Sequence, residues 1–233
     1  MTKVLIFDVE TTGLLPKKKS PDTEYPYVLQ MSYLIYDLKE FKIMKTFDSY
    51  ISISKEVVIP EAASAVNGIT REMCDNGILM SEAIKELYKD IHLYKCKALI
   101  AHNFDFDSKV IEVEIKRNKD ELQEICPNAD RLFEEEYLKG HDISTLCTMR
   151  ISKNICRLPF KNQKVNECNY KFPTLKELYF HFFEEIPKSL HNSLMDVLVC
   201  LRCYLKIHLK YHLENTPFYN MVDTAFMEEK KNI

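Results

Sequence analysis

Val4-Leu5-Ile6-Phe7-Asp8-Val9-Glu10-Thr11-Thr12-Gly13 is an apolar run that ends in two acids and a turn. Four consecutive apolar residues bounded by a turn signal predict a strand covered on both faces. Alternate side chains of a strand share a face, so Asp8 and Glu10 project to the same side, roughly 6.5–7 Å apart along the backbone. Two carboxylates at that spacing repel and raise each other's pKa unless a cation lies between them. A cation site is one reading of the pair and a strand end fraying into solvent is the other. Residues elsewhere in the chain must choose between them.

Beyond Gly13, residues 14–26 form a polar loop with three prolines and the triplet Lys17-Lys18-Lys19, which reads as solvated. Strands are expected from about Val28 to Tyr36 and from about Lys42 to Ile53, joined through residues 37–40 as an antiparallel hairpin. Gln30 is a polar residue inside the first of them. Residues 60–77 are punctuated and predict short helices, with Thr70 as the N-cap of one. Ser81 is the expected N-cap of a longer helix that turns Ala83, Ile84, Leu87 and Ile91 to the core. Ala98-Leu99-Ile100-Ala101 is another short buried strand, and it too runs into polar text, His102-Asn103-Phe104-Asp105-Phe106-Asp107. A helix through 110–115 then gives way to a charged stretch, 116–136, read as solvated helix and loop. Asp142 to Leu146 predicts a short strand or strand-to-helix junction, and 151–171 lacks any period and reads as a long excursion. Helices are expected over 175–183 and from about Leu194 to Leu213, the latter carrying an apolar stripe. Strands alternating with helices after an initial hairpin predict an α/β domain with a mixed sheet. Its acid-bearing strand ends fall at the carboxyl edge, where open sheets place their sites.

The bulk numbers narrow the function. At 233 residues and 46% hydrophobic content the chain suits one domain with a sizeable core. With 32 basic and 35 acidic residues the net charge is −3, so no general nucleic-acid coat is advertised and any nucleic acid must be gripped locally. Eight cysteines are scattered rather than spaced as a disulfide frame, which predicts reduced thiols in a cytoplasmic or nuclear compartment. Cys147, Cys156 and Cys168 lack the close pair of a zinc site, and Cys200 and Cys203 lie mid-helix, where packing explains them. No apolar run reaches the ~18 residues of a membrane span, and nothing reads as a signal peptide.

Leu190-His191-Asn192-Ser193-Leu194-Met195-Asp196 supplies a further acid and a histidine. Residues five apart are about 140° apart on a regular helix, so His191 and Asp196 cannot share a helix face. With Asn192 as N-cap, Asp196 enters the first turns and His191 hangs from the preceding loop. Together with Asp8, Glu10 and Asp107 they form an oxygen-rich set suited to Mg²⁺ or Mn²⁺.

Asp8-Val9-Glu10-Thr11-Thr12-Gly13, His102-Asn103-x-x-Phe106-Asp107 and His191-x-x-x-x-Asp196, in this order, resemble the three motifs of the DEDDh exonuclease family. Similar supporting text stands at residues 25–30, 66–70 and 172–179, and the resemblance covers roughly residues 3 to 210. Relatives usually read a histidine where this chain has Asn67. An extra acid, Asp105, precedes Asp107, and the family spacing selects Asp107. The resemblance implies a ribonuclease H-like fold, a mixed five-stranded sheet flanked by helices. It implies a metal-dependent 3′→5′ exonuclease that releases nucleoside 5′-monophosphates by a two-metal mechanism. Asp8 would bridge two ions, Mg²⁺ or Mn²⁺, with Glu10, Asp107 and Asp196 completing the shell. Neutral His191 would act as general base, an imidazole ordinarily titrating near 6.5. Thr11, Thr12, Gly13 and Leu14 would receive the terminal nucleotide, with His102, Asn103 and Phe106 lining the pocket. The expected partner is nucleic acid with a free 3′ end, DNA in preference to RNA, with a polymerase or repair protein as a further partner class. An exoribonuclease and a non-catalytic binding module on this fold are the alternatives. The exonuclease domain is expected over 1–213, with 214–233 as a polar tail.

Overall fold

The structure is a computed structural model that describes residues 3–160, 169–187 and 190–209. The tail 214–233, the end of the last expected helix, Cys168 and the middle of the 151–171 excursion lie outside the described residues.

Five strands form one sheet: β1 (Lys3–Thr11), β2 (Val28–Asp37), β3 (Lys42–Tyr50), β4 (Ala98–Ala101) and β5 (Ser144–Cys147), in the order β3-β2-β1-β4-β5. β1 pairs antiparallel with β2, and β2 with β3, while β1, β4 and β5 run parallel. This is the expected mixed sheet. Around it lie α1 (Glu61–Asn67), α2 (Arg71–Asp75), α3 (Met80–Leu93), α4 (Phe104–Arg117), α5 (Lys119–Ile125), α6 (Glu135–Gly140), α7 (Thr148–Cys156), α8 (Leu175–Phe183) and α9 (Ser193–Leu209).

The period of two along β1 sorts its residues between two cores. Leu5, Phe7 and Val9 join Met31, Tyr33 and Ile35 of β2 and pack with Ile84, Leu87, Val110 and Ile111 of α3 and α4. Val4 and Ile6, with Leu34, Tyr36, Ala98 and Ile100, pack under Leu198, Leu201, Tyr204 and Leu205 of α9. Continuing the even-numbered face toward the carboxyl end of β1 gives Asp8 and then Glu10. The apolar floor beneath α9 therefore turns acidic where the helix begins. Thr70 caps α2 through its side chain, as expected.

Several boundaries differ from expectation, each for a local reason. β3 stops at Tyr50, after which Ile51 makes an isolated parallel bridge to Ile78 and the chain leaves the sheet. The N-cap of α3 is Leu79, whose N–H donates to the Glu82 carboxylate at 3.2 Å; Ser81 is buried inside the first turn. The charged stretch 116–136 is not merely solvated, because Leu122, Ala129 and Leu132 plug into the core below α3 and α4. The aperiodic stretch after 151 begins inside α7, which runs to Cys156. The seven described cysteines are all free and buried, and Cys200 and Cys203 pack in two different clusters. Among the described residues no helix is long and apolar enough to cross a membrane.

Candidate active site

Three elements bring four carboxylates together. Asp8 and Glu10 stand at the end of β1. α4 starts just beyond β4, the parallel neighbour of β1, and its buried Asp107 reaches back so that Oδ1 accepts the Val9 N–H at 3.3 Å. Asp196 comes from the first turns of α9. Burial pushes Asp8 up to about 7, with the Ser193 hydroxyl opposing the rise. Glu10 is pushed up to about 8 by burial and then by the charge on Asp8, with the Asn67 amide opposing. Asp107 and Asp196 are both raised well above the ordinary carboxylate range, first by burial and then by the charges of Asp8 and Glu10.

An acid cluster set partly below the surface in this way calls for a counter-charge. Asp8 Oδ2 and Asp196 Oδ1 are buried and have no hydrogen-bond partner. Glu10, His191 and Asp196 each offer one ligand atom, all within 4.8 Å of one another. Hard oxygen donors with unpaired lone pairs and mutual repulsion fit a divalent cation, which would satisfy the orphaned atoms and offset the repulsion.

The start of α9 explains how His191 joins Asp196 despite the five-residue separation. Asn192 caps the helix, its Oδ1 accepting the Met195 N–H at 3.3 Å and its carbonyl accepting the Asp196 N–H at 3.0 Å. His191 takes a left-handed conformation, φ 71°. That turn folds the chain back over the helix, and the His191 N–H donates to Asp196 Oδ2 at 3.2 Å. The imidazole is thus an exposed, loop-borne group beside the acids.

On the other side of Glu10, a bulge marks the end of β1. Thr11 Oγ1 donates to the Gly13 carbonyl at 2.7 Å, and Thr12 Oγ1 accepts the Tyr27 N–H at 2.9 Å. Both hydroxyls therefore shape the loop. Thr12, Gly13 and Leu14 line a groove of about 580 Å³ whose other walls include Tyr25, Pro26, Tyr27 and Val57. Leu14 is 86% exposed at its edge. A Cβ at Gly13 would meet nothing within 4 Å, so the fold itself does not demand glycine there. Arg117 holds the 22–27 wall: it donates to the carbonyls of Tyr25 at 2.7 Å and Pro26 at 3.0 Å, and stacks 3.8 Å from the Tyr27 ring.

The remaining expected residues divide. Both ring nitrogens of His102 are engaged within the fold, Nδ1 with the Thr148 hydroxyl and Nε2 with the Pro173 carbonyl, each at 3.0 Å. Burial pushes it down to about 4, so it is a neutral bridge between β4, α7 and the segment before α8. Asn103 is exposed at the head of α4, and Phe106 is half-buried against the core. Asp105 is exposed and ion-paired with Arg150, which leaves Asp107 as the acid buried against β1. Asn67 donates to the Thr11 carbonyl at 3.4 Å, tying α1 to the end of β1. Sequence reasoning missed Ser193, whose hydroxyl donates to the Asp8 carbonyl at 2.7 Å, and left Gln30 open. The available signal for Gln30 was its pairing: it lies directly opposite Glu10.

Known proteins share this arrangement of elements. E. coli exonuclease I, solved in complex with a 5cy-dA13 oligonucleotide, superposes with a TM-score of 0.59 at 18% identity, over 89% of this chain and 41% of that one. Cell-death related nuclease 4 superposes with a TM-score of 0.56 at 14% identity, over 89% of this chain and 64% of its own. At these identities the likeness shows the fold, which is ribonuclease H-like. The PolC-type DNA polymerase III of Mycoplasma genitalium is 23% identical over 197 residues, 83% of this chain and 12% of that protein. The chain thus spans a small part of the polymerase and less than two thirds of the two nucleases. The RNase T family, described as Exonuclease, matches residues 5–204, and the chain belongs to that exonuclease family, within the DEDD superfamily.

Proposed function

We propose that the chain is a metal-dependent 3′→5′ exonuclease of the DEDDh type that acts on DNA 3′ ends and releases nucleoside 5′-monophosphates. The observation that carries this reading is the convergence of Asp8, Glu10, Asp107 and Asp196, two of them with orphaned buried oxygens, beside His191. The four carboxylates would hold two divalent cations, Mg²⁺ or Mn²⁺. When bound, these supply Lewis acidity to the attacking and leaving oxygens of an in-line displacement.

The chain's own groups do the rest. A ring nitrogen of neutral His191 takes a proton from the attacking water. The new P–O bond forms on the side opposite the departing 3′ oxygen, whose bond to phosphorus breaks. That oxygen leaves as an oxyanion and takes a proton from solvent water to become the 3′-hydroxyl of the shortened strand, while His191 later returns its own proton to solvent. Gly13 leaves room for the terminal nucleotide, and Leu14 offers its base an apolar surface, which is tolerant of sequence. Asn103 and Phe106 flank the same end of α4. His102, its ring held by Thr148 and the Pro173 carbonyl, lines the pocket beside Asn103 and Phe106.

DNA preference is supported by the oligonucleotide bound to E. coli exonuclease I and by a DNA polymerase among the relatives. A net charge of −3 suits a protein that grips a short terminus. The polymerase relative also supports a polymerase or repair protein as partner. Free buried thiols support a reducing compartment, cytoplasmic or nuclear. The exonuclease domain is assigned to residues 1–213. The test is a panel of matched 3′-labelled single-stranded DNA, duplex DNA and RNA with Mg²⁺ or Mn²⁺ and an Asp8→Ala control. DNA should be degraded faster than RNA; degradation of RNA alone would make the protein an exoribonuclease, and binding without release a non-catalytic module.

A further inference from the structure

Gln30 lies inside β2 and is 2% exposed. A primary amide is buried at a cost unless its polar atoms are paired. Its Nε2 donates to Asp48 Oδ1 at 2.8 Å, and the same Asp48 oxygen accepts the Ser32 hydroxyl at 2.6 Å. Its Oε1 accepts the Ser193 N–H at 3.3 Å and the Asn192 Nδ2 at 3.5 Å. In register, Gln30 faces Glu10 and Ser32 faces Asp8 on β1, while Ser32 faces Asp48 on β3. A polar ladder thus crosses three strands and then climbs to the start of α9.

Ser193 is the first residue of α9, so its N–H has no partner within the helix. The Gln30 carbonyl satisfies it, and the Ser193 hydroxyl ties the same turn to the Asp8 carbonyl. An amide could present either end to this N–H, and a flipped one would set donor against donor. Asp48, an acceptor only, selects the productive orientation. We propose that Gln30, oriented by Asp48, is a positioning residue that fixes the first turn of α9 and thereby holds His191 and Asp196 against Asp8 and Glu10. Its catalytic consequence rests on the exonuclease reading; its structural one does not.

The experiment compares wild type, Gln30→Glu and Gln30→Glu/Asp48→Asn. The single substitution keeps an oxygen for Ser193 but sets a carboxylate against Asp48, while the double variant reverses that bond's polarity and restores the net charge. Amide hydrogen exchange at Met195 and Asp196 in metal-free protein reads the turn directly. It should quicken at least about tenfold in Gln30→Glu and return toward wild type in the double variant. With 3′-labelled single-stranded DNA and saturating Mn²⁺, kcat should fall at least about tenfold in Gln30→Glu with KM within about twofold, and recover in the double variant. Unchanged exchange and kcat in Gln30→Glu, or a double variant as impaired as the single one, would overturn the proposal. Should Gln30→Glu fail to fold, the double variant decides: near-wild-type exchange supports the ladder, and quickened exchange refutes it. An inactive wild type would count against the exonuclease reading alone, since the exchange result stands without turnover.

Discussion

Asp8→Asn should make the metal-free protein more stable while abolishing its activity. Asp8 is held at about 7 instead of the ordinary 3.8, mainly by burial. At 1.36 kcal/mol per pKa unit, ionising it inside the fold at pH 8 costs at most about 4 kcal/mol. An amide removes the charge and keeps the shape. It still leaves a polar atom unpaired where Oδ2 is orphaned, which costs about 1–2 kcal/mol. The net gain is about 2 kcal/mol, or roughly 4–8 °C in thermal midpoint for a protein of this size. The sign with pH follows from the raised folded pKa: the acid's favourable contribution is full below its unfolded value near 4 and is lost as pH rises through about 7. The advantage of Asp8→Asn should therefore be present at pH 8 and close to nil at pH 5. Thermal melts in chelator at the two pH values, with nuclease assays alongside, read both effects. A variant no more stable than wild type at pH 8, or a gain equal at both pH values, would refute the reasoning.

His191→Ala should lose about 10²–10⁴-fold in kcat, the usual range for a general base, and hydrolysis at the wild-type rate would remove His191 from the mechanism. Gly13→Ala should leave the melting midpoint unchanged, because its Cβ meets nothing, yet raise KM for a 3′ end that lies against it; Gly77→Ala should do the reverse, since its Cβ would sit 2.5 Å from the Tyr50 carbonyl oxygen. Mn²⁺ binding should release protons and tighten as pH rises from 6 to 8, because Asp8 and Glu10 must lose protons held at about 7 and about 8. Calorimetry in buffers of different ionisation enthalpy measures that release.

Much of this architecture was legible in local patterns. The apolar run of β1, the hairpin of β2 and β3 and the stripe of α9 follow from periods of two and 3.6, and the three motifs name the acids. What was hidden depends on partners far along the chain. Leu122, Ala129 and Leu132 enter the core from a stretch whose charges mask them. The engagement of His102 depends on Pro173, 71 residues away, and the proposed role of Gln30 depends on Asn192 and Ser193 as well as on Asp48 of the neighbouring strand. No helical spacing places His191 against Asp196; a left-handed turn does, and a lone His before an Asn carries no sequence mark of that turn.

The central claim is that Asp8, Glu10, Asp107 and Asp196 serve one reaction at a 3′ terminus. It is tested most directly by a 5′-labelled single-stranded DNA incubated with Mg²⁺ or Mn²⁺ and resolved at single-nucleotide length. The account predicts a ladder that shortens stepwise from the 3′ end, with nucleoside 5′-monophosphates as the other product, and its loss in Asp8→Ala and Asp196→Ala. Internal cleavage, shortening from the 5′ end, or an unchanged ladder in either variant would contradict it.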